Sequence, residues 1–428
     1  MLRIKNGRLM DPAGGTDANR DIWIDDGRIS RISPPENSSG TPSSPNGETF
    51  DATGLVIAPG FIDLHCHLRE PGGESSETIE TGTRAAARGG FTAVCPMPNT
   101  KPVNDNASVT RAILERSASV ASTRVWPIGA ASIGSKGEGL SEIGAMQKAG
   151  IVAVSDDGKP IATAKLLRQV MDYCRALELP VIDHCEDASL FAGAVMREGK
   201  QSVRLGLRGM PAATESIAVG RDIQMAELTG CHFHVAHLSS RQSLELVRTA
   251  KKRGLSVSCE VTPHHFTLCD EDVIYDSKFK MNPPLASAED REALIEGLAD
   301  GTVDAIATDH APHEPAIKDV EFDRAPFGVI GFETALGLAL ELVHAGKLSL
   351  MRMLELFTTG PARVLGRKRA VAVGEPADLT IFSTAHPWQF HVQQSASKST
   401  NTPFEGRSFR GAPMATVVGG RIVYRRDA

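Results

Sequence analysis

The chain has 428 residues, 41% of them hydrophobic, and a formal net charge of −6. That is enough apolar material for one large core and a smaller one, and with no long basic block the charge excludes a nucleic-acid-binding protein. The start "MLRIKNGRLMDP" carries no secretory pattern and no apolar run is long enough to span a bilayer, so a cytoplasmic, membrane-free protein is expected.

"LRIKNGRLMD" and "DIWIDDGRISRI" read as short strands with Asn-Gly and Asp-Gly turns. A Pro/Ser/Gly loop, "SPPENSSGTPSSPNGE", follows. Near the end, "EPADLTIFS" and "ATVVGGRIVYRRD" repeat the strand style around a Gly-Gly turn. The pattern predicts a small β-sandwich made from residues 1–56 and 368–428, with residues 57–367 inserted as a separate barrel.

The inserted part alternates. "FIDLH", "FTAVCPM", "RVWPIGA", "IVAVSDD", "PVIDHC", "HFHVAHL", "LSVSCEVTP" and "VDAIATD" read as strands. Helical stretches such as "TIETGTRAAARGG" and "TAKLLRQVMDYCRALE" separate most of them. Eight such units predict an α/β fold, a (β/α)8 TIM barrel. An open doubly wound sheet is the alternative, but no GxGxxG follows the first strand. "VIGFETALGLALELV", interrupted by Glu333 and Glu341, reads as a buried helix. The seven cysteines lack CxxC spacing and read as buried free thiols; Cys66 and Cys185, although beside histidines, are taken the same way.

The chemistry lies at the strand ends. If Phe61 to His67 is a strand, alternation sends His65, His67 and Arg69 to one side. The second strand leads to Asn99, the fourth to Asp156 and Asp157, the fifth to His184, the sixth to His237 and the eighth to Asp309. Barrel active sites occupy that rim. Four imidazoles and two carboxylates there suit a borderline metal such as Zn²⁺. A water bridging two such ions loses a proton near neutrality, which supplies a hydroxide nucleophile, and Asp309 is placed to serve as general acid and base. The implied reaction is hydrolysis at a carbonyl, or its reverse. His232 and His234 read as structural, and His264 and His265 as partners orienting the ligands.

"PGFIDLHCHLREPGGE", "GGFTAVCPMPNT", "SDDG", "HCED", "HVAHLSS", "EVTPHH", "KMNPPL", "ATDHAPH" and "FGVIGFET" run in order through the barrel, and "TPFEGRSFRG" extends the match. Together they resemble the amidohydrolase superfamily, and within it the dihydroorotases of the long bacterial type. The resemblance implies reversible closure of N-carbamoyl-L-aspartate to L-dihydroorotate, a step of pyrimidine synthesis, with one or two Zn²⁺ ions per subunit, two being favoured. It gives His65, His67 and Asp309 to one ion and His184 and His237 to the other. It favours Asp157 over Asp156 as the bridge, where many relatives use a carboxylated lysine; Lys159 reads as a solvated loop residue. It assigns the substrate carboxylate to Arg69, Asn99 and His313, and the ring's amide edge to Asn282, Phe327 and Gly328. It also implies a homo-oligomer, a dimer, and raises association with aspartate transcarbamoylase.

Three rivals share the scaffold: hydantoinase, dihydropyrimidinase and allantoinase. They typically carry the bridging lysine that is absent here and less of the HLREPGG/MPNT pattern. A metal-free scaffold subunit for aspartate transcarbamoylase is the remaining alternative, and the full set of ligand-type residues speaks against it.

Overall fold

The computed structural model describes residues 1–35 and 47–427. Most of the Pro/Ser/Gly loop predicted between the first hairpin and Phe50 lies outside the described residues.

Both chain ends meet in one eight-stranded sheet, the β-sandwich part of the molecule. Its order is Arg421–Arg425, Ser408–Val418, Leu379–Gln389, Val56–Pro59, Leu2–Asp11, Thr16–Asp25 and Arg28–Ser33, with Glu48–Asp51 also pairing with Leu2–Asp11. The Asp-Gly and Gly-Gly turns form as expected. Both central residues have positive φ, 44° and 75° at Asp26 and Gly27, 54° and 77° at Gly419 and Gly420. Asn6–Gly7 is not a turn. The strand continues through it as a bulge between Ile4 and Gly7. A Cβ on Gly7 would lie 2.3 Å from Ile57 Cδ1, so glycine is there for close packing. Leu2, Ile4, Ile22, Ile24, Ile57, Leu379, Ile381 and Val417 belong to this part's own core.

The middle of the chain is a closed parallel barrel. Phe61–Cys66, Phe91–Pro96 and Arg124–Val125 pair in one ladder. Gly129–Ala130, Val154–Ser155, Val181–Asp183, Phe233–Val235, Val257–Val261 and Ala305–Ile306 pair in a second. The third strand passes between ladders through Trp126 and Ile128, whose N–H groups donate to Val94 O and Pro96 O. A parallel bridge from Cys66 to His310 closes the ring. Helices wrap it by burying one face each. Ala164–Ala176, capped by Thr163, buries Leu166, Leu167, Val170, Met171 and Cys174. Ile79–Arg88 carries a Thr78/Thr81 capping box and buries Ala85 and Ala86. Ala335–His344 is the expected buried helix. All seven cysteines are free and buried. Among the described residues, no helix is long and apolar enough to cross a membrane.

Asp378 joins the two parts. Its carboxylate accepts from Arg124 at 2.7 and 3.0 Å, from Arg369 at 3.0 Å and from Gly419 N at 2.8 Å. Burial alone would raise this carboxyl, but Arg124 and Arg369 outweigh it and hold it below the ordinary range. A depressed carboxyl stabilises fully above its unfolded value, ~3.9, and the gain is lost as pH falls through the folded value. Asp378→Ala leaves the mostly buried Arg369 without its counter-charge and should cost about 3–5 kcal/mol. Urea denaturation at pH 7 measures the loss. The wild-type advantage should shrink below pH 4, and an unchanged midpoint at pH 7 would show that the seam is not held electrostatically.

Candidate active site

Strand ends carry the site. His65 lies within Phe61–Cys66, and His67 N still donates to His310 O at 2.8 Å, so the first strand's pairing continues through both histidines. Arg69 then breaks the alternation with φ at 60°. It reaches the pocket through a turn rather than along the strand, because the chain must reverse before the next helix. His184 follows Val181–Asp183, and His237 and Asp309 follow the sixth and eighth strands with φ of 30° and 44°.

Asp157 lies among the imidazoles. Its Oδ1 is 3.1 Å from His65 Nε2, 3.8 Å from His237 Nε2 and 3.9 Å from His184 Nδ1, and its Oδ2 is 3.6 Å from His67 Nε2. Asp156 turns away. Its carboxylate accepts from Ala131 N, Ser132 N and the Ser132 hydroxyl. Asp309 Oδ1 lies 3.0 Å from His67 Nε2 and 3.6 Å from His65 Nε2. Burial would raise the Asp157 and Asp309 carboxyls, yet the facing imidazoles, His65 foremost at Asp157 and His67 at Asp309, hold both well below the usual carboxylate range. Lys159, as expected, is exposed.

Three of the four imidazoles are aimed from behind, while His237 Nδ1 is buried without a hydrogen-bond partner among the described residues. His65 Nδ1 lies 3.0 Å from Glu260 Oε1, His67 Nδ1 3.0 Å from Asn99 Oδ1, and His184 Nε2 2.7 Å from Glu186 Oε2. Such contacts fix the tautomer and direct the other ring nitrogen forward. Burial would raise Glu260, but His234 and His65 bring it down to about 2. Glu260 and Glu186 were not singled out from the sequence. A lone acid in the apolar strand "LSVSCEV" was the available signal for Glu260. His234, read as structural, reaches Glu260 Oε2 at 3.1 Å and so supports His65 indirectly. His265 bonds Thr262 and, at 2.9 Å, Pro283 O, so it holds the NPPL loop rather than a ligand.

These residues fit a divalent cation. His65 Nε2 and Asp157 Oδ1 are buried without a hydrogen bond although they face each other. His65, His67 and Asp309 form one group able to hold an ion, and His65, Asp157 and His237 a second. An ion bound by imidazole nitrogen and carboxylate oxygen would satisfy both orphaned atoms. The second group includes His65 where the sequence suggested His184. His184 Nδ1 nevertheless faces the same group, 2.9 Å from His237 Nε2 and 3.9 Å from Asp157 Oδ1.

Beside this group lies a cavity of about 210 Å³ lined by Arg69, Asn99, Asn282, His313, Phe327 and Gly328, the six residues expected to meet substrate. Arg69 donates to Pro312 O at 3.0 Å and lies 3.4 Å from His313 Nε2. Among the described residues no carboxylate pairs with it. Glu70 is committed to Arg116 and Ile79 N, and Glu74 to Gly72 N. Burial and Arg69 push His313 down to about 3, so it is neutral. Asn282 Nδ2 donates to Glu186 at 3.0 Å, and its Oδ1 is buried and unpaired. Asn99 also approaches Asp157 Oδ2 through its Nδ2, at 3.4 Å. Asn401, unforeseen, reaches in from the C-terminal segment: its Oδ1 accepts from His313 N at 3.1 Å.

A family model described as dihydro-orotase-like matches residues 54–243. A dihydroorotase of Solibacter usitatus is 54% identical over 428 residues, covering 99% of this chain and 98% of that protein. One from Pelotomaculum thermopropionicum is 51% identical over 99% of this chain and 98% of its own length. One from Desulforapulum autotrophicum is 48% identical over the full length of both. Among solved structures, an L-hydantoinase (dihydropyrimidinase) from Arthrobacter aurescens superposes with a TM-score of 0.86 at 25% identity, covering 99% of this chain and 96% of the other. The fold is thus that of cyclic amidohydrolases, while identity along the whole chain is to dihydroorotases. The chain belongs to the dihydroorotase family, whose members are cyclic amide hydrolases.

Proposed function

We propose that this site interconverts L-dihydroorotate and N-carbamoyl-L-aspartate. The observation that carries the reading is Arg69, a cation without a carboxylate partner among the described residues, on the wall of a cavity that also holds Asp157 and Asp309. His65, His67 and Asp309 would hold one divalent ion and His184 and His237 a second, with Asp157 between them. Zn²⁺ suits this nitrogen and oxygen set. Ions bound there would polarise the ring carbonyl and make water acidic near neutrality.

The protein's own groups do the rest. Arg69 binds the substrate carboxylate in a charge-assisted contact, and neutral His313, whose one N–H donates to Phe327 O, lies beside it. The free Oδ1 of Asn282 accepts a ring N–H. Asp309, kept ionised by the imidazoles, takes the proton of the attacking water and passes it to the departing ring nitrogen. Ring closure runs the same transfers backwards. A homodimer and association with aspartate transcarbamoylase rest on the family resemblance alone, and a cytoplasmic location on the sequence pattern. Turnover of dihydroorotate against hydantoin, dihydrouracil and allantoin tests the substrate; faster turnover of any rival would reassign it.

Arg69→Met should lower kcat/KM for dihydroorotate by about 2–5 kcal/mol in transition-state binding while metal content stays at the wild-type level. Near-normal kcat/KM would remove Arg69 from the substrate site. Chelation should abolish activity and added Zn²⁺ restore it. Asp157→Ala should lose metal and activity together, whereas Asp156→Asn, which keeps an oxygen for Ala131 and Ser132, should retain both. Asp309→Asn should keep much of the metal yet lose ~10²–10⁴-fold in kcat. Elemental analysis with kinetics on the three variants reads all of this, and metal loss in the Asp156 variant instead would move the bridge by one residue.

The substrates themselves supply a further check. Closing the ring converts two carboxylates to one and consumes a proton, so the ratio of ring to open chain should fall about tenfold per pH unit above the carboxyl pKa values. An equilibrium independent of pH near neutrality would mean that a different amide is hydrolysed.

A further inference from the structure

Phe327 and Gly328 form one wall of the cavity. Every carbonyl of residues 326–328 is taken by a side chain. Lys318 Nζ donates to Pro326 O at 2.7 Å and to Gly328 O at 2.8 Å. His313 Nε2 lies 2.7 Å from Phe327 O, and Asn401 Nδ2 donates to Gly328 O at 3.0 Å. The third hydrogen of Lys318 goes to Lys280 O at 2.9 Å, the same carbonyl that accepts from Gly328 N at 3.0 Å.

Lys318 is only 1% exposed. Among the described residues no carboxylate forms an ion pair with it, and its ammonium meets only carbonyl oxygens. Burial, with the Lys280 ammonium nearby, pulls its amine down to about 7. A buried cation with no ion pair is costly, and the apolar core of Phe322, Val329, Met281 and Leu285 would accommodate an apolar residue. An apolar residue, however, would leave Pro326 O without a donor and take one of two donors from each of Gly328 O and Lys280 O. An ammonium has three N–H donors for three acceptors. The wall it holds has little slack, since a Cβ on Gly328, whose φ is 131°, would lie 2.8 Å from Ala311 Cβ and 2.9 Å from Ala311 O.

We propose that Lys318 is a positioning residue for turnover: by holding the carbonyls of Lys280, Pro326 and Gly328 it fixes the wall on which the substrate ring is seated. The inference rests on the reading of this cavity as the cyclic-amide site. Lys318 touches none of the histidines that face Asp157, nor Asp157 or Asp309, so its loss leaves metal content unchanged. The wall meets ground state and transition state alike, so its loosening raises KM more than it lowers kcat.

The test uses full-length Lys318→Met and Lys318→Ala with elemental analysis, steady-state kinetics and hydrogen exchange over residues 322–330. Lys318→Met should raise KM for dihydroorotate about tenfold, keep kcat within about threefold and speed exchange in the loop. In Lys318→Ala, n-propylammonium should restore both KM and slow exchange, while 1-propanol of matching size should restore neither. An unchanged KM, or equal rescue by the alcohol, overturns the proposal, because space filling alone would then explain the residue. If the variants do not fold, Lys318→Ala refolded with each additive gives the same comparison: recovery with the amine alone supports the tie, and recovery with both or neither overturns it. A wild-type enzyme inactive on dihydroorotate would count against the substrate reading, whereas the exchange measurement needs no substrate.

Discussion

A carboxylate buried among four imidazoles is the constraint on which the rest of this molecule depends. Removing Asp157 and its facing histidines from water is costly, and a buried charge is tolerated only when it is paired and hydrogen-bonded. The pairing draws on four strand ends. His65 and His67 come from the first, Asp157 from the fourth, His184 from the fifth and His237 from the sixth. No local segment can assemble it. The closing bridge between Cys66 and His310 brings Asp309 beside the first strand's histidines. The partners behind the imidazoles complete the arrangement. Glu260 reaches His65 across the barrel interior from the seventh strand, which is not the first strand's neighbour.

Three rim residues bear backbone strain for this placement. Arg69, His237 and Asp309 all have positive φ, a region costing non-glycine residues about 1–3 kcal/mol each. Glycine would relieve the backbone and lose the side chain. The strain falls on the residue facing the cavity as a free cation, on one imidazole and on the carboxylate between two imidazoles. The surrounding barrel, with its buried layers on both sides of the sheet, is what holds such conformations in place.

Much of this was legible in the sequence because it follows from periodicity. Strand and helix alternation gave the barrel, and the Asp-Gly and Gly-Gly pairs gave two hairpins with the turn geometry those residues favour. Arg69 and Asn99 were legible as polar groups just beyond apolar runs, whereas Asn282, His313, Phe327 and Gly328 came from the family resemblance. What escaped depends on close approach between distant segments. Asn6–Gly7 has the composition of a turn, and only the proximity of Ile57 makes it a bulge. Alternation pointed Arg69 to the right pocket for the wrong local reason, because a left-handed residue replaces the last strand position. Glu186 and Lys318 gave no periodic signal. Lys318 meets backbone carbonyls on other loops, and Glu186 meets the His184 ring two residues before it and the Asn282 amide from another loop, which a residue pattern does not reveal.

Asn401 is the most distant of these, and it changes how the chain's last segment is understood. The stretch before it crosses the barrel rim: Ser397 and Lys398 N bond Glu77, and Ser399 Oγ donates to Ser76 O at 2.7 Å. Glu77 in turn lies 3.3 Å from His310 Nε2, one residue beyond Asp309. Asn401 then grips Ala311 O, Gly328 O and His313 N together. The segment that leads back from the sandwich strand Leu379–Gln389 thus aligns the turn after Asp309, the histidine beside Arg69 and the loop tied by Lys318. Those three elements form much of the cavity away from the histidines that face Asp157, so the shape of that cavity depends on the docking of a segment that contributes no strand to the barrel. The terminal sheet anchors both ends of that segment. Its contribution to the site is therefore one of registration, transmitted through hydrogen bonds to backbone rather than through any side chain that meets the reacting atoms.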